Sequence, residues 1–171
     1  MQHNSQHIIL TAQPRIWTLG IVYNDVFNIA STETAYEEHR FGNSDTNRNV
    51  LMDDDRPLFN YYLSIAVSDL TGLLARRIDP RQKGISSNET MELNNGIEES
   101  NWDIVFYLVM DDNHDEHLRA SLHRYCMDFL VKRVLEQWYR KQGMSDQAKS
   151  AIIRVMEFRR KPVRRPVRSL L

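Results

Sequence analysis

Apolar residues recur in steps of three and four between residues 111 and 140. Leu118, Leu122, Tyr125, Cys126, Phe129, Leu130, Val134, Leu135 and Trp138 share one face of an α-helix at that spacing. Asn113, with Glu116 three residues on, forms a capping box and predicts the start. Gly143 predicts the stop, because glycine takes a left-handed C′ position without a Cβ penalty. The implied helix has roughly 28 residues and a length of about 42 Å. A helix that long needs other elements packed along it.

The rest of the chain divides by the same kind of pattern. Residues 1–14 are polar and without period, and predict an arm. Ile16, Leu19, Val22 or Tyr23, Val26 or Phe27, and Ala30 predict a helix from Arg15 to about Glu38. The Asn-, Asp- and Ser-rich stretch 39–54 predicts a loop. Asp55 is placed to cap a second helix, with Pro57 in its first turn. Its stripe is Leu58, Tyr61 or Tyr62, Ile65, Ala66 or Val67, Leu70, Leu73 or Leu74, and Ile78, ending before Pro80. Residues 79–100 are polar, and Asn95-Gly96 suggests a small hairpin there.

Trp102 to Met110 is dense in aromatic and β-branched residues and predicts a strand. A lone strand leaves its backbone unpaired. Its partner is expected in residues 90–99 or in a neighbouring subunit. The second option makes Trp102, Ile104, Phe106 and Leu108 candidates for an intersubunit strand. Beyond Gly143, Ser145 is placed to cap a fourth helix, with Ala148, Ile152, Val155 or Met156, and Phe158 facing inward. Pro162 ends it, and Pro166 helps keep the C-terminal segment extended. The expected fold is mainly α: a bundle of about four helices, a small β element at about 88–110, and an extended basic C-terminal tail.

Charge changes the picture at the C-terminus. The formal net charge is -1 over 171 residues, a length that favours one domain. Yet residues 154–171 hold seven Arg and Lys against the single acid Glu157, while the rest holds 15 basic and 22 acidic residues. Such asymmetry points the tail at an acidic surface, at nucleic acid, or at another copy of the acidic body. Arg159, Arg160, Lys161, Arg164, Arg165 and Arg168 are its candidate docking groups. The absence of aromatics after Phe158 argues against base stacking. Docking on protein is the preferred expectation, ahead of phosphate contacts or a merely solvated tail.

Catalytic chemistry finds little support. The cluster DDNHDEH at 111–117 offers metal-ligand residue types, but His123 stands six residues beyond His117 on another face. Acids at a helix start are expected from the dipole alone. The acidic run Asp53-Asp54-Asp55 lacks the alternation of a calcium loop. Cys126, the only cysteine, falls on the apolar helix face, where a thiol is inert and a disulfide within the chain is impossible. No nucleophile elbow, phosphate loop or dinucleotide glycine pattern occurs. The start carries no basic-then-apolar leader, and the longest apolar run, Ile104 to Met110, is too short to span a bilayer. The expectation is a protein that is not an enzyme, with no cofactor, no metal and no membrane partner.

The segments FNYYLSIAVSDLTGLLARRI and LVKRVLEQWYRKQGMSDQAKSAIIRVMEFRRKPVRRP, separated by a strand-containing excursion, resemble the head-to-tail connector (neck or ring) proteins of tailed bacteriophages. The flavour is that of phages of Bacteroidetes hosts, including the crAss-like group. The resemblance covers residues 16 to 166 and rests on helical organisation, so it assigns no catalytic or binding residue. It implies an N-terminal arm at 1–14, a connector-like helical domain at 15–158 and a basic tail at 159–171. It also implies a homo-oligomeric ring, commonly dodecameric, made in the host cytoplasm and placed in the virion neck. Its partners would be the portal and other neck or tail proteins, with non-specific contact to DNA in the channel. The alternative expectation is a DNA-binding accessory protein that grips phosphates with its tail.

Overall fold

The computed structural model describes residues 15–41, 49–78, 103–110 and 116–160. Among them the elements are β1 (Arg15–Val22), α1 (Tyr23–Phe41), a short 3-10 turn (Asp53–Asp55), α2 (Arg56–Leu74), β2 (Asp103–Met110), α3 (Glu116–Lys141) and α4 (Ser145–Arg160). The chain is mainly helical, with a small two-stranded antiparallel sheet. The arm at 1–14, the hairpin expected near residue 95 and the helix start at Asn113 lie outside the described residues.

The long amphipathic helix is the axis of the structure. α1, α2 and α4 all pack against α3. Leu122, Cys126, Phe129, Leu130, Val134, Leu135 and Trp138 are buried as their spacing predicts, and Tyr125 is half-buried. Leu118, at the N-terminal end of the stripe, is 50% exposed. From α2 come Phe59, Tyr62, Leu63, Ala66, Val67, Leu70 and Leu74, so of the three ambiguous pairs Tyr62 and Leu74 are the buried members of two, and both Ala66 and Val67 are buried in the third. Each fully buried aliphatic side chain contributes about 2 kcal/mol of hydrophobic free energy.

The first element departs from expectation. Residues 15–22 form a strand where a helix beginning at Arg15 is predicted. Ile16, Leu19 and Val22 satisfy a helical period, but the same octet is rich in β-branched residues, and Leu19 and Ile21 also alternate as a strand requires. What decides between them is β2. It pairs with β1 along the whole strand, with Trp17 opposite Leu108, Leu19 opposite Phe106 and Ile21 opposite Ile104. The expectation that this strand finds its partner in residues 90–99 or another subunit is therefore corrected: the partner is β1 of the same chain. Leu19, Ile21, Ile104, Phe106 and Leu108 turn into the core.

A second correction lies at the other edge of β2. α2 stops at Leu74 and does not reach Ile78. Val109 N donates to Arg77 O at 2.6 Å, and Ile78 forms a bridge with Leu108. The chain leaves the helix because β2 offers backbone partners on that side too.

Two connections are held by polar groups. Ser31 Oγ donates to Leu51 O at 2.8 Å, and Leu51 N donates to the buried Thr34 Oγ1 at 3.0 Å. These bonds clasp the strap at 49–52 onto α1. Trp138 Nε1 then donates to Asn49 O at 2.8 Å, tying the strap to α3. Asp55 stands at the N-cap of α2, but its carboxylate accepts backwards from Met52 N at 3.0 Å.

The turn between α3 and α4 is a Schellman motif. Gly143 has φ 72, in the left-handed region that glycine favours. Gly143 N donates to Arg140 O at 3.2 Å and Met144 N to Tyr139 O at 2.9 Å. Ala148 N reaches Met144 O at 3.0 Å, so Met144 takes the cap position and Ser145 is already helical. Ala148, Ala151 and Val155 bury the inner face of α4, and Ile152 is half-buried.

Trp138 is 1% exposed and hydrogen-bonded, so Trp138→Ala should cost about 3–5 kcal/mol. Chemical denaturation measures this. A loss below about 0.5 kcal/mol would put Trp138 in a surface role, where substitutions usually stay within that range.

Candidate interaction surface

The predicted docking residues begin where α4 ends. Arg159 and Arg160 are its last two residues, whereas Lys161, Arg164, Arg165 and Arg168 lie outside the described residues. The predicted strand residues do not join them. Ile104, Phe106 and Leu108 are core, and Trp102 lies outside the described residues.

Sequence periodicity missed the outer flank of α4. Lys149, Ile153, Met156 and Arg160 stand at i, i+4, i+7 and i+11, a single row along the helix. Ile153 is 58% exposed and Met156 51% exposed. Apolar residues on both sides of α4 were the available signal, since a helix with only one partner needs one apolar stripe. The Lys149–Asp146 pair at 3.5 Å is exposed and contributes little to stability.

A second row lies on α1. Asp25, Ile29, Glu33 and Tyr36 stand at i, i+4, i+8 and i+11. Asp25 and Ile29 are exposed, and Tyr36 is 62% exposed. Glu33 accepts from Lys132 Nζ of α3, which fixes the flank of this row against the long helix. Both rows mix apolar residues with both charges: Asp146 and Glu157 share the outer flank of α4 with Lys149, and Arg40 follows Tyr36 by one turn on α1.

The most buried charge has a structural partnership. Glu136 is 3% exposed and binds Arg133, with Arg140 at 2.9 Å. Arg133 also donates through Nε to Asp69 of α2 at 2.8 Å, so one guanidinium joins α2 to α3. Burial alone would lower the Arg133 pKa, but Glu136 first and Asp69 second outweigh it and raise it.

Among the described residues, no group of three or more His, Cys, Asp or Glu is arranged to hold a metal ion. Within the acidic run, Asp53 binds Arg56 at 2.9 Å and Asp55 binds a backbone amide. His114 and the side chain of His117 lie outside the described residues. Cys126 is buried, and burial pushes its thiol up to about 12. Among the described residues no helix is long and apolar enough to cross a membrane.

Comparison of the chain with protein families, with curated proteins and with solved structures finds no match.

The buried groups can be tested by substitution and by pH. Arg133→Met should cost about 2–3 kcal/mol, below the full cost of an orphaned buried charge because Arg140 still reaches Glu136. A denaturation midpoint equal to the parent's would show that Glu136 is solvated.

Cys126 should react slowly with Ellman's reagent in the folded protein and rapidly in denaturant, because only the thiolate attacks. The folded thiol titrates near 12 against 9.0 when free, so it is protonated in both states below pH 9.0. Its contribution to stability is whole there and falls as pH rises from 9.0 toward 12. Tyr139 shifts the same way, through burial and then through Glu37 and Glu33. Rapid labelling of the native protein, or a flat alkaline stability profile, would contradict this.

Proposed function

We propose that this protein is a structural assembly subunit: a connector that forms a homo-oligomeric ring in a phage neck, between portal and tail and around the DNA channel. The observation that carries the proposal is the outer row of α4. It places exposed Ile153 and Met156 on one helix flank, beside Lys149 and its partner Asp146, and the sequence runs on from α4 into the basic C-terminal stretch. Scattered exposed apolar residues are ordinary, but a row that continues into concentrated charge suits a protein surface of opposite sign.

The fold also suits the connector resemblance. The two segments that carry it become α2 and the α3–α4 hairpin, and both α2 and α4 pack on α3. The proposed partners are further copies, the portal and neighbouring neck or tail proteins, with non-specific contact to channel DNA. The proposed location is the virion neck, after synthesis in the host cytoplasm.

Imaging of the assembled particle, or of the protein mixed with its portal, tests this. The expected result is a closed ring of copies at the portal–tail junction. A lone monomer there, or a two-fold dimer sharing identical patches, overturns it. Deleting residues 161–171 should leave the melting temperature unchanged and weaken ring assembly. Tight duplex binding at physiological salt, with a steep salt slope abolished by that deletion, would favour the DNA-binding alternative.

A further inference from the structure

We infer that residues 8–12 of one copy add as a strand to the open edge of β1 in a second copy. The inference rests on the homo-oligomeric assembly proposed above and names the contact that would build it.

The register identifies the edge. Val109 N donates to Arg77 O, on the side of β2 away from β1, and Val109 stands opposite Ile16. Antiparallel pairs alternate between bonded and non-bonded, so Ile16, Thr18 and Gly20 are β1 positions whose N–H and C=O point away from β2. The Arg119 guanidinium agrees, since it donates to Thr18 O at 3.3 Å. That exposed bond is the one an added strand would displace. Among the described residues the sheet has two strands, and no backbone bond reaches its β1 edge. The outer face beside the edge carries no charge. Ile16, Thr18 and Gly20 are exposed there, and Val105, Tyr107 and Val109 are half-buried. An open edge beside such a face is a template for a further strand.

Composition and connection select the occupant. Residues 1–14 hold no Asp, Glu, Lys or Arg, and Ile8-Ile9-Leu10-Thr11-Ala12 is their strand-forming part. Residues 79–102 suit the face less well. They hold seven charged residues, and they leave from Ile78, which bridges Leu108 at the opposite edge of the sheet. Return of the arm onto its own β1 is disfavoured. Arg15 is already paired with Met110, so a returning turn must lie before it. Tight hairpin turns need positive φ, yet residues 9–14 offer no Gly, Asn or Asp and end in Pro14. The edge of another copy is the remaining place. Arm on edge is a heterologous contact, which closes into a ring when the rotation permits.

Proline substitution in the full chain tests the exchange. Thr18→Pro removes an N–H that no bond in the fold uses, and an edge strand tolerates proline there. Should T18P lower the melting temperature, Gly20→Pro replaces it, because an added Cβ at Gly20 meets nothing within 4 Å. Ile9→Pro removes a donor from the arm, outside the described fold. In sedimentation velocity at high concentration the parent should self-associate. Either variant should weaken that association severalfold at an unchanged melting temperature. Equimolar T18P and I9P should recover a dimer and nothing larger, because only the arm of T18P and the edge of I9P remain competent. A monomeric parent, a variant that associates like the parent, or a mixture that stays monomeric overturns the exchange.

The size of the parental species separates this contact from the ring. Species larger than the dimer support head-to-tail closure. A parent that stops at the dimer exchanges arms reciprocally, which keeps the contact and overturns the ring alone.

Discussion

The structure depends on burying the apolar face of α3. This helix runs from Glu116 to Lys141, and its buried face carries Phe129, Leu130, Val134, Leu135 and Trp138. A helix of that length with a wide apolar face cannot be covered by one neighbour. α1, α2 and α4 all pack on it, and the β1–β2 sheet adds Leu19, Ile21, Ile104, Phe106 and Leu108 to the same core. Propensity alone would leave each of these shorter elements marginal in water.

Polar groups turn that packing into a specific arrangement. Hydrophobic burial is non-directional, so it does not by itself fix how helices are rotated. The Leu51 clasp on Ser31 and Thr34 and the Trp138 bond to Asn49 O set the strap between α1 and α3. Arg133 sets α2 against α3 through Asp69 while answering the buried charge of Glu136. Among the described residues, every buried side-chain nitrogen or oxygen has a hydrogen-bond partner. A core satisfied in this way is a rigid base from which α1 and α4 present their outer rows.

The charge division of the chain is written in its sequence, with seven Arg and Lys against one acid in residues 154–171. The outer rows of α1 and α4 carry their apolar residues among charges of both signs. The hairpin turn at Gly143 sets the direction of α4, whose last residues open the basic C-terminal sequence.

The sequence by itself determined the long helix, its glycine stop, the α2 stripe, the strand at Asp103–Met110 and the burial of Cys126. Each depends on local periodicity or on one residue's backbone freedom, and both are written in consecutive positions. Tertiary structure decided residues 15–22, where Ile16, Leu19 and Val22 fit a helix while Leu19 and Ile21 alternate as a strand requires, until pairing with β2 settled the matter. It likewise ended α2 at Leu74, by giving Arg77 O a partner in Val109 N. The outer rows of α1 and α4 were hidden for the same reason. Spacing says which residues share a face, but only the packed neighbours decide which face is covered.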